Sequence, residues 1–139
     1  MNARIDTSAL SHLSNRHLDA LEEETIFILR EVAAAIAALG RSSDVVARYG
    51  GEEFVLVAPA SDVDQALALA QRACAAVQAL ALPHLGSDQG VITLSCGVAA
   101  MVPQPDQDSA QLLRAADAAL YRAKHQGRNQ AVAAGPEDC

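Results

Sequence analysis

The stretch Val45–Pro59, VVARYGGEEFVLVAP, decides how this chain is read. Two β-type runs, Val45 to Tyr49 and Phe54 to Ala58, flank Gly50-Gly51-Glu52-Glu53. Valine, tyrosine and phenylalanine suit a pleated, half-buried surface, and glycine accepts the positive φ of a tight turn. The pattern therefore predicts a β-hairpin. Glu52 and Glu53 follow the glycines directly, where backbone approaches a ligand closely. If the second strand resumes at once, the two carboxylates face opposite sides, because side chains alternate along a strand. One is then available to a cation and the other to a separate contact, such as a base or ribose. A hairpin with a solvated acidic turn accounts for the same residues, so the remainder of the chain must decide between the two.

At 139 residues the chain fits one domain and is long enough to bury a core. Half of it is apolar but only four residues are aromatic, so that core must be built from Ala, Val, Leu and Ile. The net charge of −7 argues against nucleic acid or an anionic membrane as the main partner. No apolar run approaches the roughly 20 residues of a membrane span. The N-terminal residues have no signal-peptide apolar core, and a cytoplasmic protein is the default expectation. Cys74, Cys96 and Cys139 show no paired spacing and read as two small core fillers and a terminal thiol. His12, His17, His84 and His125 are scattered without ligand spacing.

Residues 1–16 are polar and read as irregular. Ser14 or Asn15 is placed to cap a helix beginning near Arg16. Leu18, Leu21, Ile26, Leu29, Val32, Ala33, Ile36 and Leu39 recur mostly at helical steps, and Gly40 ends the pattern. The β-branched patch Thr25-Ile26-Phe27-Ile28 reads equally as a short strand. Arg41-Ser42-Ser43-Asp44 is a polar turn into the hairpin. Ser61 or Asp62 then caps a second helix with Ala66, Leu67, Leu69, Ala70, Ala73, Cys74, Val77 and Leu80 on its apolar side. Residues 83–90 are loop, and Val91 to Ala99 is the next strand, with weak alternation that suggests cover on both faces. A third helix is predicted from Ser109 to about His125, stopped by Gly127, with a short strand over Gln130 to Ala134.

Lys124 and Arg128 lie four residues apart across the end of that helix, with Arg122 nearby. The helix dipole favours cations there in any protein. A fork for polyphosphate is the functional alternative, Arg as a bidentate donor and Lys as a point charge. Arg41 and Asp44 likewise read either as a surface ion pair, worth under ~1 kcal/mol, or as an arginine oriented by an aspartate to grip guanine or phosphate.

Together these stretches resemble the GGDEF family, the diguanylate cyclases that condense two GTP into cyclic di-GMP. Arg48-Tyr49-Gly50-Gly51-Glu52-Glu53-Phe54 matches the signature in its GGEEF form. Thr93 to Ala99 matches a strand written TxSxGVA, and Leu113 to Asn129 matches the last helix almost position for position. Leu10 to Arg16 is similar to a worn LTGLxNR opening motif, so the resemblance covers about residues 8–134 as a single domain. It implies an α+β fold with an antiparallel central sheet flanked by helices, related to nucleotide-cyclase palms. It also implies Mg²⁺ bound through Glu52, Gly50 and Gly51 close to the nucleotide, and Glu53 in the same catalytic signature. Lys124 and Arg128 correspond to the residues that hold GTP phosphates, and a homodimer is expected because each domain holds one GTP.

The departure from the family is large. Members carry a strand with a metal-binding Asp, written DxDxFK, and later a GHxxGD segment that supplies guanine contacts. This chain passes from Leu21-Glu22-Glu23-Glu24 to Leu29-Arg30-Glu31-Val32 and contains neither motif. Thr25 to Leu29 filling the place of the missing central strand, the sheet closing up, and a partner chain lending a strand are the alternatives, and the first is the expectation. Losing a carboxylate ligand and the base hydrogen bonds predicts an impaired or inactive cyclase. The family's product-inhibition site is an RxxD five residues before the signature, and Arg41-x-x-Asp44 stands at that spacing, with Arg72 at a matching position in the next helix. That leaves two alternatives, a receptor for cyclic di-GMP or a dimerisation remnant without a ligand.

Overall fold

The computed structural model describes residues 4–6 and 30–138. The helix start near Arg16 with its Ser14 or Asn15 cap, the Leu10–Arg16 motif, the Thr25–Leu29 strand, His12, His17 and Cys139 lie outside the described residues. The chain divides between Pro59 and Ala60 into two compact units.

In the first unit, β1 (Arg4–Asp6) runs parallel to β2 (Val45–Gly50), which pairs antiparallel with β3 (Glu53–Val57). The hairpin is thus found where its composition placed it. The β1 strand is a correction, since residues 1–16 read as irregular. With one apolar residue among three it has little signature of its own, and its backbone partners are supplied from across the chain, Arg4 opposite Val45 and Asp6 opposite Ala47. The sheet is therefore mixed, with its antiparallel part confined to the hairpin. Helix α1, residues 30–39 as described, buries Val32, Ala33, Ile36 and Ala37, the three- and four-step stripe expected of an amphipathic helix. Val46 of β2 is 1% exposed.

The second unit is built on a crossover. The strand β4 (Cys96–Val98) leads through α3 (Ser109–His125) to β5 (Ala131–Ala133), and the two strands pair in parallel. Parallel strands need such a connection because a tight turn cannot reverse the chain twice. The strand expected over Val91–Ala99 is shorter than its apolar run. Its partner β5 is only three residues long, hemmed by left-handed Arg128 and Asn129 on one side and Gly135-Pro136 on the other. Proline has no N–H to continue a ladder. Upstream, Ile92 N instead donates to Leu82 O at 2.8 Å, and Val91 bridges Pro83.

Helix α2 (Val63–Ala79) starts from Asp62, whose carboxylate accepts from Gln65 N at 2.8 Å while Gln65 Oε1 accepts from Asp62 N at 3.0 Å. This reciprocal capping box selects Asp62 over Ser61 as the cap. Its buried stripe is Ala70, Ala73, Cys74 and Val77. In α3 the buried residues are Ala115, Ala119 and Ala123, four apart. Such small side chains let α3 and β4 approach until a Cβ added at Gly97 would overlap Ala116 O and the Leu120 backbone. Gly97 is therefore required by space, which explains its place in the TxSxGVA-like strand.

Candidate functional site

At the hairpin tip, Gly51 and Glu52 form the two-residue turn between Gly50 and Glu53, and Gly51 takes φ +46°. A residue in that region at the first turn position favours glycine, so the signature's second Gly is explained by local geometry. The pairing register shifts between Arg48 and Gly50, leaving Tyr49 as the extra residue of a β-bulge and 64% exposed. Arg48 clamps the tip, its Nε and Nη2 donating to Gly51 O at 2.9 and 2.7 Å. Arg48 was not among the expected site residues, although it opens the signature. Gly50, Gly51, Glu52 and Glu53 are all exposed, and Glu52 sits in the turn with Glu53 opening β3.

Arg41 and Asp44 are brought together at the base of the same unit. Arg41 N donates to Asp44 Oδ2 at 2.8 Å, and Asp44 N donates to Arg41 O at 3.0 Å. The guanidinium reaches Asp44 Oδ1 at 3.4 Å and Pro59 O at 2.7 Å. Asp44 is 1% exposed, whereas the Arg41 side chain is 55% exposed. The motif is thus a folded turn with a buried carboxylate and an outward guanidinium. A buried carboxylate must have its lone pairs met by donors, and the Arg41 main chain supplies the shortest of them.

The second unit carries Arg72, Lys124 and Arg128. Arg72 is exposed on α2. Lys124 is exposed in the last turn of α3. Beyond Gln126, Gly127, Arg128 and Asn129 all have positive φ, +116°, +63° and +47°. Arg128 N donates to Ala123 O at 3.0 Å, the long-range closure of a Schellman-type helix end. Asn129 N then donates to Ser95 Oγ at 3.2 Å, and Asn129 Nδ2 to Gln78 Oε1 at 3.1 Å. An arginine in the left-handed region carries a cost that the surrounding hydrogen bonds must offset. Arg122, by contrast, is turned to the C-terminal turn Pro136–Asp138, where its Nη1 and Nη2 meet Asp138 at 2.6 and 2.7 Å. That pairing holds the Asp138 carboxyl below its ordinary value, helped by the Gly135 N–H, and raises the Arg122 guanidinium. Arg122 is therefore a structural cation, not a third arm of a phosphate fork.

For Mg²⁺, the donor set offers Glu52 and Glu53 at an exposed turn. Among the described residues no group of three His, Cys, Asp or Glu gathers that could hold a metal ion. Adjacent carboxylates of this kind fit a cation held largely by nucleotide phosphates.

The α+β fold with its GGEEF hairpin defines a domain of the cyclase class. The chain belongs to the diguanylate cyclase GGDEF-domain family, which matches residues 27–130. It is 35% identical over 130 residues to the diguanylate cyclase DgcM of Escherichia coli K12, covering 94% of this chain and 30% of that protein. Among solved structures it is similar to the coiled coil and GGDEF domain of Caulobacter crescentus DgcB in complex with c-di-GMP, at TM-score 0.69 and 27% identity, covering 86% of this chain and 65% of that one. It is also similar to the active GGEEF domain of a diguanylate cyclase from Vibrio cholerae, at TM-score 0.64 and 27% identity, over 86% and 78% of the two chains. The chain spans less than a third of the length of the curated relatives it matches. Among the described residues no helix is long and apolar enough to cross a membrane.

Proposed function

We propose that this chain is a GGDEF module impaired in condensing GTP, whose retained role is to recognise cyclic di-GMP through Arg41. The observation that carries the reading is the Arg41–Asp44 turn. It keeps the family's inhibitory spacing, buries the aspartate and leaves the guanidinium largely in solvent. Asp44 acts as the positioning residue, fixing the Arg41 main chain, and Arg41 is the group that meets ligand. A planar guanidinium suits a guanine edge or a phosphate, which it grips bidentately. DgcB, a similar domain, was solved with c-di-GMP, which supports that ligand class for this chain.

The impairment follows from the absent DxDxFK and GHxxGD segments. Glu52, Glu53, Gly50 and Gly51 remain as the signature turn, and Lys124 with Arg128 as a basic helix end for phosphates, without a second acidic partner from the missing strand. Substrate discrimination depends on hydrogen-bonding groups that reject the wrong base, and those groups are lost with the segment.

Titration calorimetry with cyclic di-GMP is the deciding experiment. Wild type is expected to bind and Arg41→Ala to lose at least tenfold in affinity. A wild type that releases no binding heat up to millimolar ligand ends the reading. In parallel, incubation with Mg²⁺ and GTP is expected to give no robust cyclic di-GMP, and rapid turnover would remove the impairment.

A further inference from the structure

Cys74 and Cys96 are far apart in sequence and read individually as core fillers. In the second unit their sulfurs stand 3.7 Å apart, both as free thiols. We propose that this pair is a modification site: a hydroperoxide oxidises it to an intramolecular disulfide that ties α2 to β4.

Three observations support the assignment. The separation exceeds a disulfide bond length of about 2.05 Å by roughly 1.7 Å, so bonding needs the two side chains to turn toward each other from sulfur–sulfur contact. Second, the two sulfurs sit on elements of regular structure. Cys74 belongs to the buried stripe of α2 and Cys96 opens β4, where its N–H donates to Gln130 O at 2.9 Å. Third, the pair is not sealed, because Cys74 is 6% exposed while Cys96 is half-buried. Besides the partner thiol, Cys96 Sγ has Ala70 O at 4.0 Å.

The thiolate is the nucleophile, so whichever of the two thiols ionises first takes the terminal oxygen of the hydroperoxide, breaking the O–O bond and leaving a sulfenic acid and an alcohol or water. The other thiol then gives up its proton and its sulfur displaces the hydroxyl, which departs as water. In sum, two thiols and one hydroperoxide yield one disulfide, one alcohol or water, and one water.

The bridge would lie beside the segment that presents Arg128. Ser95, next to Cys96, accepts from Asn129 N, and Cys96 N holds Gln130 O. The proposal stands independently of the cyclic di-GMP reading, because it needs only the thiols.

The test uses the full chain with Cys139→Ser, which leaves the pair as its only thiols. After a brief treatment with hydrogen peroxide, the protein is denatured in excess maleimide and its mass measured. The expected product has lost about 2 Da and takes no maleimide, reverting with phosphine reductant to take two. Peptide mapping should then find Cys74 joined to Cys96. Closing this loop should raise Tm by on the order of 10 °C. Two maleimides after peroxide, sulfinic or sulfonic adducts, or disulfide-linked dimers would each overturn the proposal. A second variant, Cys74→Ser combined with Cys139→Ser, removes the partner and is expected to show no loss of about 2 Da after peroxide; the same loss there would overturn the Cys74–Cys96 assignment.

Discussion

At the scale of single residues, Arg41 and Asp44 divide the work of one motif. The Asp44 carboxylate is buried and accepts from the Arg41 main chain, so its loss removes the acceptor of that N–H. Asp44→Ala is expected to cost about 1.5–3 kcal/mol in urea unfolding, the range for hydrogen bonds to a charged group. Arg41→Ala removes a 3.4 Å contact made by a side chain that is 55% exposed, and should cost under ~1 kcal/mol. Affinity for cyclic di-GMP should fall in the reverse order per unit of stability lost. Equal destabilisation by the two substitutions would contradict this division. The sequence shows the spacing of these residues and their distance from the glycines. It does not show which partner is buried, because either end of an RxxD turn could point inward until the chain around it is packed.

At the scale of elements, α3 was the most legible part of the chain. Asp108 caps it through Ala110 N at 3.0 Å, and its observed span, Ser109–His125, is the predicted one. Local signals suffice there: a cap, a 3.6-residue stripe and a terminal glycine. The strand β1 was illegible for the opposite reason. Arg4-Ile5-Asp6 has no pattern to detect, and its pairing with Val45–Ala47 depends on a partner some forty residues away. The shortening of β4 had the same origin, since the length of a strand is set jointly with its neighbour. The β4–α3 contact also makes a prediction. Because the atoms facing Gly97 are backbone, they cannot rotate aside, and Gly97→Ala must push strand from helix. The expected loss is about 1–3 kcal/mol, as for overpacked cores. Thermal unfolding followed by circular dichroism measures it; an unchanged Tm would show that the approach is looser than described.

At the scale of the whole molecule, stability should depend on acid through the C-terminal turn. Asp138 accepts two bonds from Arg122 and one from Gly135 N at 2.7 Å, and its side chain is 5% exposed. These contacts favour the carboxylate, so the folded-state pKa lies below the unfolded one. A group depressed in this way adds stability above its unfolded pKa, near 3.9 for Asp, and that contribution is lost as pH falls through the folded value. Wild type and Asp138→Asn should therefore differ in urea midpoint at pH 7 and converge in strong acid. The Arg122→Lys variant should behave like a weaker Asp138→Asn, because lysine replaces a two-pronged donor with a point charge. Unfolding curves recorded from pH 7 down to pH 2 are the measurement. A difference between wild type and Asp138→Asn that stays constant across that range would mean the turn is held by packing of Pro136 and Gly135 and not by the ion pair.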